Sequence, residues 1–202
     1  MSNSLLPAIT MSERLNEQFK RLALTPYLKW WQCSFNTLEI TVKDSDWDST
    51  QLVYTDGTEV HSYFNLSWKR PENFIDNISC INFKPDNKAL FATAIYKVLK
   101  WVTEEQNTPK IEWRVTVGNP IEEAYDRFCV SHGGRIVGTL KNHVLINNRY
   151  YDTKLYEWIN HKYICNKCGY VIKNVGENNI VASHCNKCHG EMIYKNPFNF
   201  GE

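Results

Sequence analysis

The chain has 202 residues, 43% of them hydrophobic and 13% aromatic, enough for one medium-sized core and a small appendage. Its formal net charge is +1, which excludes a uniformly basic nucleic-acid binder. No apolar run approaches the roughly 20 residues of a membrane span, and residues 1–30 lack a charged start followed by an apolar stretch, so neither membrane insertion nor export is expected.

Leu15, Phe19 and Leu22 at helical spacing predict an amphipathic helix over residues 12–24. Residues 26–32 predict a short second helix presenting Tyr27, Trp30 and Trp31 to the core. Strands are expected over 38–42, 52–54 and 59–68, with Asp56-Gly57 as the turn between the last two. A strand over 78–83 precedes one long helix over 87–105, whose buried stripe is Leu90, Ala94, Ile95, Val98, Leu99 and Val102. Residues 111–117 are rich in β-branched side chains and predict another strand.

Asn119-Pro120-Ile121-Glu122 reads as a helix start, with Asn as the cap, Pro at the first helical position and Glu at the third. That helix runs to about His132, where Gly133-Gly134 stops it. Residues 135–146 and 149–158 then form a hairpin across Asn147-Asn148. The order predicts an α/β layered domain over residues 1–159, without internal repeat or low-complexity stretch.

Residues 160–202 are a separate unit. Four of the seven cysteines form two identical knuckles, Cys165-Asn166-Lys167-Cys168 and Cys185-Asn186-Lys187-Cys188, with sixteen residues between them. A two-residue gap lets both thiolates of a knuckle reach one ion, and two knuckles complete a four-sulfur Zn²⁺ site, a zinc ribbon. A disulfide pair or a redox CxxC is the alternative, and duplication of the knuckle at ribbon spacing argues against both. Gly169 and His189-Gly190 fall where the chain must turn beneath the metal and tolerate positive φ. His184 and His189 flank the second knuckle and are alternative ligands, but with four cysteines available they are expected beside the sulfur shell or on the surface. A closed four-sulfur shell leaves no open coordination position, so this metal is expected to fold the segment and not to do chemistry.

Cys33, Cys80 and Cys129 are isolated, which fits a reducing, cytoplasmic compartment. From Asn160 onward five lysines face three glutamates, a mildly basic segment. Docking of a protein partner or substrate is the expectation for the ribbon, and nucleic acid is the alternative. Abundant Asn with Lys, Tyr and Ile suggests an AT-rich genome, such as that of a phage or a low-GC bacterium.

The order of elements over roughly residues 10–159 resembles the Gcn5-related N-acetyltransferase (GNAT) family, particularly the branch that acetylates protein N-termini and similar amines. The likeness is strongest over residues 110–158, in the Gly118-Asn119-Pro120 helix start, the segment Gly138-Thr139-Leu140-Lys141-Asn142-His143-Val144, and Asn148-Arg149-Tyr150-Tyr151-Asp152. The resemblance implies a mixed, mostly antiparallel sheet flanked by helices, splayed between its fourth and fifth strands, 78–83 and 111–117. It implies acetyl-CoA in that cleft, its pyrophosphate on backbone N–H groups at the start of the long helix. Phe83, Lys84, Asn87, Lys88, Ala89 and Asn119 are the matching cofactor positions.

Two departures stand out. The family's glycine-bearing phosphate loop is matched by Phe83-Lys84-Pro85-Asp86-Asn87-Lys88-Ala89, which has no glycine and brings a carboxylate toward a pyrophosphate, with Lys84 and Lys88 to offset it. An ordinary helix cap by Asp86 or Asn87 is the alternative reading of this stretch. The family's proton-donating tyrosine falls by counting at Asp126 or Cys129, neither a phenol. Tyr125, the one phenol of that helix, is the general-acid candidate, and its alternative is a core role beside Phe128. His143 and Glu112 are the preferred general bases, ahead of Glu59 and His61. Backbone N–H groups near Asn82 and Phe83 are expected to hold the oxyanion. Two functions follow: an acyltransferase moving acetyl from acetyl-CoA to an amine, or an inactive GNAT-fold binding or structural protein of phage origin that uses its ribbon for contacts.

Overall fold

In the computed structural model, which describes residues 3–30, 39–160, 162–173 and 184–195, the strands fall into two sheets. The larger contains β1 (Ser4–Pro7), β2 (Ser49–Thr55), β3 (Val60–Lys69), β4 (Phe74–Asn82), β5 (Lys110–Thr116), β6 (Arg135–Ile146) and β7 (Arg149–Ile159), in the spatial order β1-β2-β3-β4-β5-β7-β6. Every neighbouring pair is antiparallel except β4 and β5. Helices α1 (Ser12–Ala23), α2 (Lys88–Lys100) and α3 (Glu122–His132) flank it. Strand alternation divides the interior in two, so that the sequence neighbours Tyr63 and Phe64 face opposite cores. On one face Phe91, Ala94 and Val98 of α2 and Tyr125 and Phe128 of α3 meet Phe64, Leu66, Trp113 and Tyr156. On the other, Leu15, Phe19 and Leu22 of α1 meet Val53, Tyr63 and Ile81. Each such fully buried aliphatic or aromatic side chain contributes about 2 kcal/mol through the water it sheds.

Several expectations change. Residues 39–42 form no strand, because two side-chain amides do a ladder's work there. Asn16 accepts from the Ile40 N–H at 2.7 Å and donates to its carbonyl at 3.2 Å, while Gln51 donates to the Thr41 carbonyl and accepts from the Lys43 N–H. Leu38, Trp31, Gln32 and Cys33 lie outside the described residues. The short second helix is a 3₁₀ turn over Pro26–Trp30, and Tyr27 is exposed rather than turned to the core. β4 begins at Phe74, where polar Asp76 and Asn77 hide the alternation. The long helix ends at Lys100 and passes into a π turn over Trp101–Glu105, closed by the Gln106 N–H on the Trp101 carbonyl at 3.1 Å; the wider turn keeps Val102 fully buried. Pro120 and Ile121 precede α3. The cap position therefore falls to Ile121, without a side-chain cap, and Asn119 instead forms the turn before it by accepting from the Ile121 N–H, while Glu122 reaches back to the Gly118 N–H at 2.6 Å.

The smaller sheet has β8 (Lys162–Cys165) between β10 (Met192–Lys195) and β9 (Val171–Lys173), antiparallel to both. Among the described residues no helix is long and apolar enough to cross a membrane.

Candidate functional site

The parallel pairing of β4 with β5 holds at only two residue pairs, Phe74 with Lys110 and Ile75 with Ile111. Beyond them no ladder joins the two strands, and a cavity of about 800 Å³ opens in the fork. Ile78, Cys80 and Asn82 of β4 and Trp113 of β5 line it, with Lys88, Phe91 and Ile95 of α2, Asn119 before α3, and Tyr125 and Phe128 on α3. The Trp113 indole holds the strand and the helix apart: it stacks on Tyr156 at 5.4 Å and meets Tyr125 and Phe128 edge-on near 6 Å.

Tyr125 reaches into this space from the first turn of α3, its hydroxyl 3.0 Å from the Cys80 thiol. Burial pushes the Tyr125 phenol well above its ordinary range, and the adjoining Cys80 adds to the effect. Burial also pushes the Cys80 thiol up to about 11, although the tyrosine bond works the other way. Both groups are therefore protonated at neutral pH, and Tyr125 is placed to give a proton and not to take one. Asp126 and Cys129 are engaged elsewhere and do not line the cavity. Burial acts to raise the Asp126 carboxyl, but hydrogen bonds from Lys154 at 2.7 Å and from the Tyr156 hydroxyl at 2.7 Å outweigh it and hold the group below its usual value. Burial, then the Asp126 charge, raises the Cys129 thiol to about 12.

The structure does not bring His143 or Glu112 to the cavity. His143 is exposed on β6, which borders only β7 at the sheet's edge, and Glu112 pairs with Lys110 at 2.5 Å. Glu59 is taken by Lys84 at 2.6 Å, and His61 is buried beside Asp56. The titratable side chains that do line the space include Lys88, Glu123, Arg127 and His132, of which Glu123, Arg127 and His132 lacked any signal in the sequence beyond their helix.

The start of α2 is self-capped. The Asn87 side chain accepts from the Leu90 N–H at 3.0 Å, Lys84 donates its N–H to the Asn82 side chain, and the Lys84 ammonium is held by Glu59. Helix geometry leaves the N–H groups of Lys88 and Ala89 without intrahelical acceptors, and Lys88 lines the cavity while Phe83, Lys84, Asn87 and Ala89 do not. The Phe83 N–H donates to the His61 carbonyl on β3 at 3.0 Å. Because successive strand residues point their amides to opposite sides, the Phe83 N–H is spent on β3, and the N–H groups of Asn82 and Cys80 point away from β3, toward the fork.

In the smaller sheet the ligand atoms of Cys165, Cys168, Cys185 and Cys188 all lie within 4.8 Å of one another. The Cys165–Cys188 and Cys168–Cys185 sulfur pairs stand 3.4 and 3.8 Å apart. Four thiolates about 2.3 Å from one tetrahedral ion stand about 3.8 Å from each other, so the four sulfurs fit Zn²⁺. The Lys167 and Lys187 N–H groups each point at the first sulfur of their own knuckle at 3.4 Å. Gly169 and His189 occupy equivalent left-handed positions, φ 71° and 55°, each donating its N–H to the first cysteine's carbonyl. Gly190 is needed for closeness instead: a Cβ there would lie 2.6 Å from Lys167 Cβ and 2.8 Å from the Cys165 sulfur. His184 bridges to Glu191 through the backbone and is exposed, outside the sulfur cluster.

No protein-family model and no curated protein matches the chain. Solved structures do. A spermidine N-acetyltransferase from Vibrio cholerae, in complex with CoA and spermine, superposes with a TM-score of 0.61 at 17% identity, over 78% of this chain and 95% of that one. A probable GNAT-family acetyltransferase from Chromobacterium violaceum gives 0.59 at 18% identity, over 79% and 88%. A GNAT-family acetyltransferase from Streptococcus pneumoniae gives 0.59 at 14%, over 78% and 99%. The chain has the GNAT fold, with a four-cysteine cluster of zinc-ribbon form at its C-terminal side.

Proposed function

We propose that the fork between β4 and β5 binds the acyl-carrying arm of acetyl-CoA and that the protein transfers the acetyl group to an amine. The observation that carries this reading is the placement of Tyr125: a half-buried, protonated phenol on the wall of an 800 Å³ cavity whose other wall offers the Asn82 N–H. In this reading the neutral amine attacks the thioester carbonyl, the Asn82 N–H receives the developing oxyanion, the C–S bond breaks as Tyr125 protonates the departing thiolate of CoA, and the proton shed by the acylated nitrogen restores the Tyr125 phenol. Lys88 and the two open amides at the start of α2 meet the pyrophosphate. A polyamine, the ligand class of the Vibrio cholerae neighbour, is the first acceptor to try, followed by peptide N-termini. The four cysteines hold one structural Zn²⁺, and the ribbon serves docking, not chemistry.

A second reading has one observation in its favour. Asn87 and Glu59 consume the cap and the lysine that would meet the pyrophosphate, as an inactive binding protein would tolerate. A thermal melt with acetyl-CoA separates the two, since a ligand at a hundred times its Kd adds about 2.7 kcal/mol. A shift together with CoA release in the presence of spermidine or a peptide amine supports transfer. No shift at millimolar acetyl-CoA overturns it.

A further inference from the structure

The cavity in the fork is longer than an acetyl group requires. Asn82 and Lys88 line its open end, where the acyl-CoA reading seats the carbonyl and the phosphates. The lining then continues past the Cys80–Tyr125 pair toward the end where β4 and β5 join, to Ile78 on β4, Leu99 on α2 and His132 on α3. His132 stands at that joined end: its carbonyl accepts from the Trp158 indole, and Trp158 is paired with Ile111, itself the partner of Ile75. At about 3.3 Å per strand residue, Ile78 lies about 7 Å beyond Cys80. At about 1.5 Å per helical residue, His132 lies about 10 Å beyond Tyr125.

This extension is an apolar groove. Ile78, Ile95, Leu99 and Phe128 pack against the core and yet stay only half-buried, so each leaves apolar surface on the cavity side. The two charged side chains beside it, Glu123 and Arg127, are exposed and neutralise each other at 2.6 Å. The His132 ring lies flat on Phe128 at 4.6 Å, with its Nδ1 engaged by the Ser131 hydroxyl at 2.7 Å. An occupant of this groove is therefore apolar, and it begins where the reading places the thioester. The tail of the acyl group meets both conditions, while an acetyl methyl stops at the groove's entrance.

We propose that the fork takes a medium-chain acyl group of about six to eight carbons, its tail lying along Ile78, Ile95, Leu99 and Phe128; with C–C bonds of about 1.5 Å in zigzag, such a chain spans about 6 to 9 Å. That is the length the groove offers beyond the Cys80–Tyr125 pair. The inference rests on the acyl-CoA reading of the fork and extends it from acetyl to a longer acyl group.

The test is calorimetric titration of the full chain with CoA, acetyl-CoA, hexanoyl-CoA and octanoyl-CoA. Each methylene withdrawn fully from water tightens binding by a factor of about four, equivalent to about 0.8 kcal/mol. Hexanoyl-CoA adds four methylenes to acetyl-CoA, and in a groove open along one side it is expected to bind at least about tenfold more tightly. L99E sets a carboxylate at the far end of the groove and is expected to reduce that ratio to about threefold or less, while L99M keeps it. Circular dichroism checks the fold of L99E; if it does not fold, the ratio measured on the wild type decides alone. No binding of any CoA species overturns both this proposal and the acyl-CoA reading. Equal affinity for acetyl-CoA and hexanoyl-CoA overturns the proposal and leaves that reading standing. A preference undiminished in folded L99E places the tail elsewhere and overturns it too. So does a dimer in sedimentation that hexanoyl-CoA leaves intact and L99E dissociates, which assigns the groove to a second copy of the chain.

Discussion

The Cys80 thiol of β4 and the Tyr125 hydroxyl of α3 meet at 3.0 Å on the wall of the fork, the one side-chain hydrogen bond found there between the two elements among the described residues. Both are kept neutral by burial. Tyr125 thus stands on the cavity wall with a proton it keeps well past neutrality.

Y125F keeps the ring that packs against Trp113 and Tyr156 and removes only the hydroxyl. The rate of acetyl transfer, read as CoA thiol release, is expected to fall about a hundredfold, with a stability loss near 1 kcal/mol from the lost hydrogen bond. Because the phenol sits well above 10, the wild-type turnover should show no alkaline fall attributable to it below pH 10. An active Y125F enzyme would return Tyr125 to the core role.

The raised thiols make a chemical prediction. At pH 8 a thiol near 11 is ionised to about one part in a thousand, and one near 12 to about one in ten thousand. Intact mass after brief native treatment with iodoacetamide should show Cys80 and Cys129 unmodified, and denaturation should expose both.

Glu157 is buried on β7, accepting from Lys110 at 2.9 Å and Arg135 at 2.6 Å. Burial acts to raise its carboxyl, and the two cations win, holding it below its ordinary value. A depressed carboxyl stabilises the fold above its unfolded pKa, near 4.3, and this contribution is lost as pH falls through the folded value. E157Q is expected to cost about 2 kcal/mol at pH 7 and to lose less stability than the wild type between pH 5 and pH 3, measured by urea melts. Equal pH slopes for the two proteins would disprove the coupling.

One Zn²⁺ per chain is expected by metal analysis, with chelation melting residues 162–195 while the larger sheet persists, since structural zinc supplies on the order of 10 kcal/mol to such a segment. G190A should release zinc at least tenfold more readily to a competing chelator, because its new methyl meets Lys167 and Cys165. G138A is the control, with nothing within 4 Å of its added carbon.

The helices and the last hairpin were legible because their signals are local: the stripe of α1, the turn Asn147-Asn148 with φ 49° and 60°, and the Gly133 stop at φ 73°. The four-cysteine cluster was legible because spacing alone brings the sulfurs together. Strand β1 was missed because four residues ending in proline carry no alternation. The strand expected over 38–42 failed for the opposite reason: its apolar pattern is real, but Asn16 and Gln51, distant in sequence, satisfy its backbone. Which polar residues enter the fork depends on where β4 and β5 part and how α3 is rotated, both tertiary facts. In the sequence Cys80 is only an isolated thiol, and Tyr125 only the phenol of its helix.

Two residue pairs between β4 and β5 mean that the large sheet is mechanically two leaves on one narrow hinge. The first leaf, β1 to β4, carries α1; the second, β5 to β7, carries α3, and α2 spans the gap as the covalent strap. Whatever lies between the leaves touches both, so a guest there also becomes part of the frame. Its arrival should stiffen amide exchange in strands as far away as β2 and β7, and its departure should loosen them together.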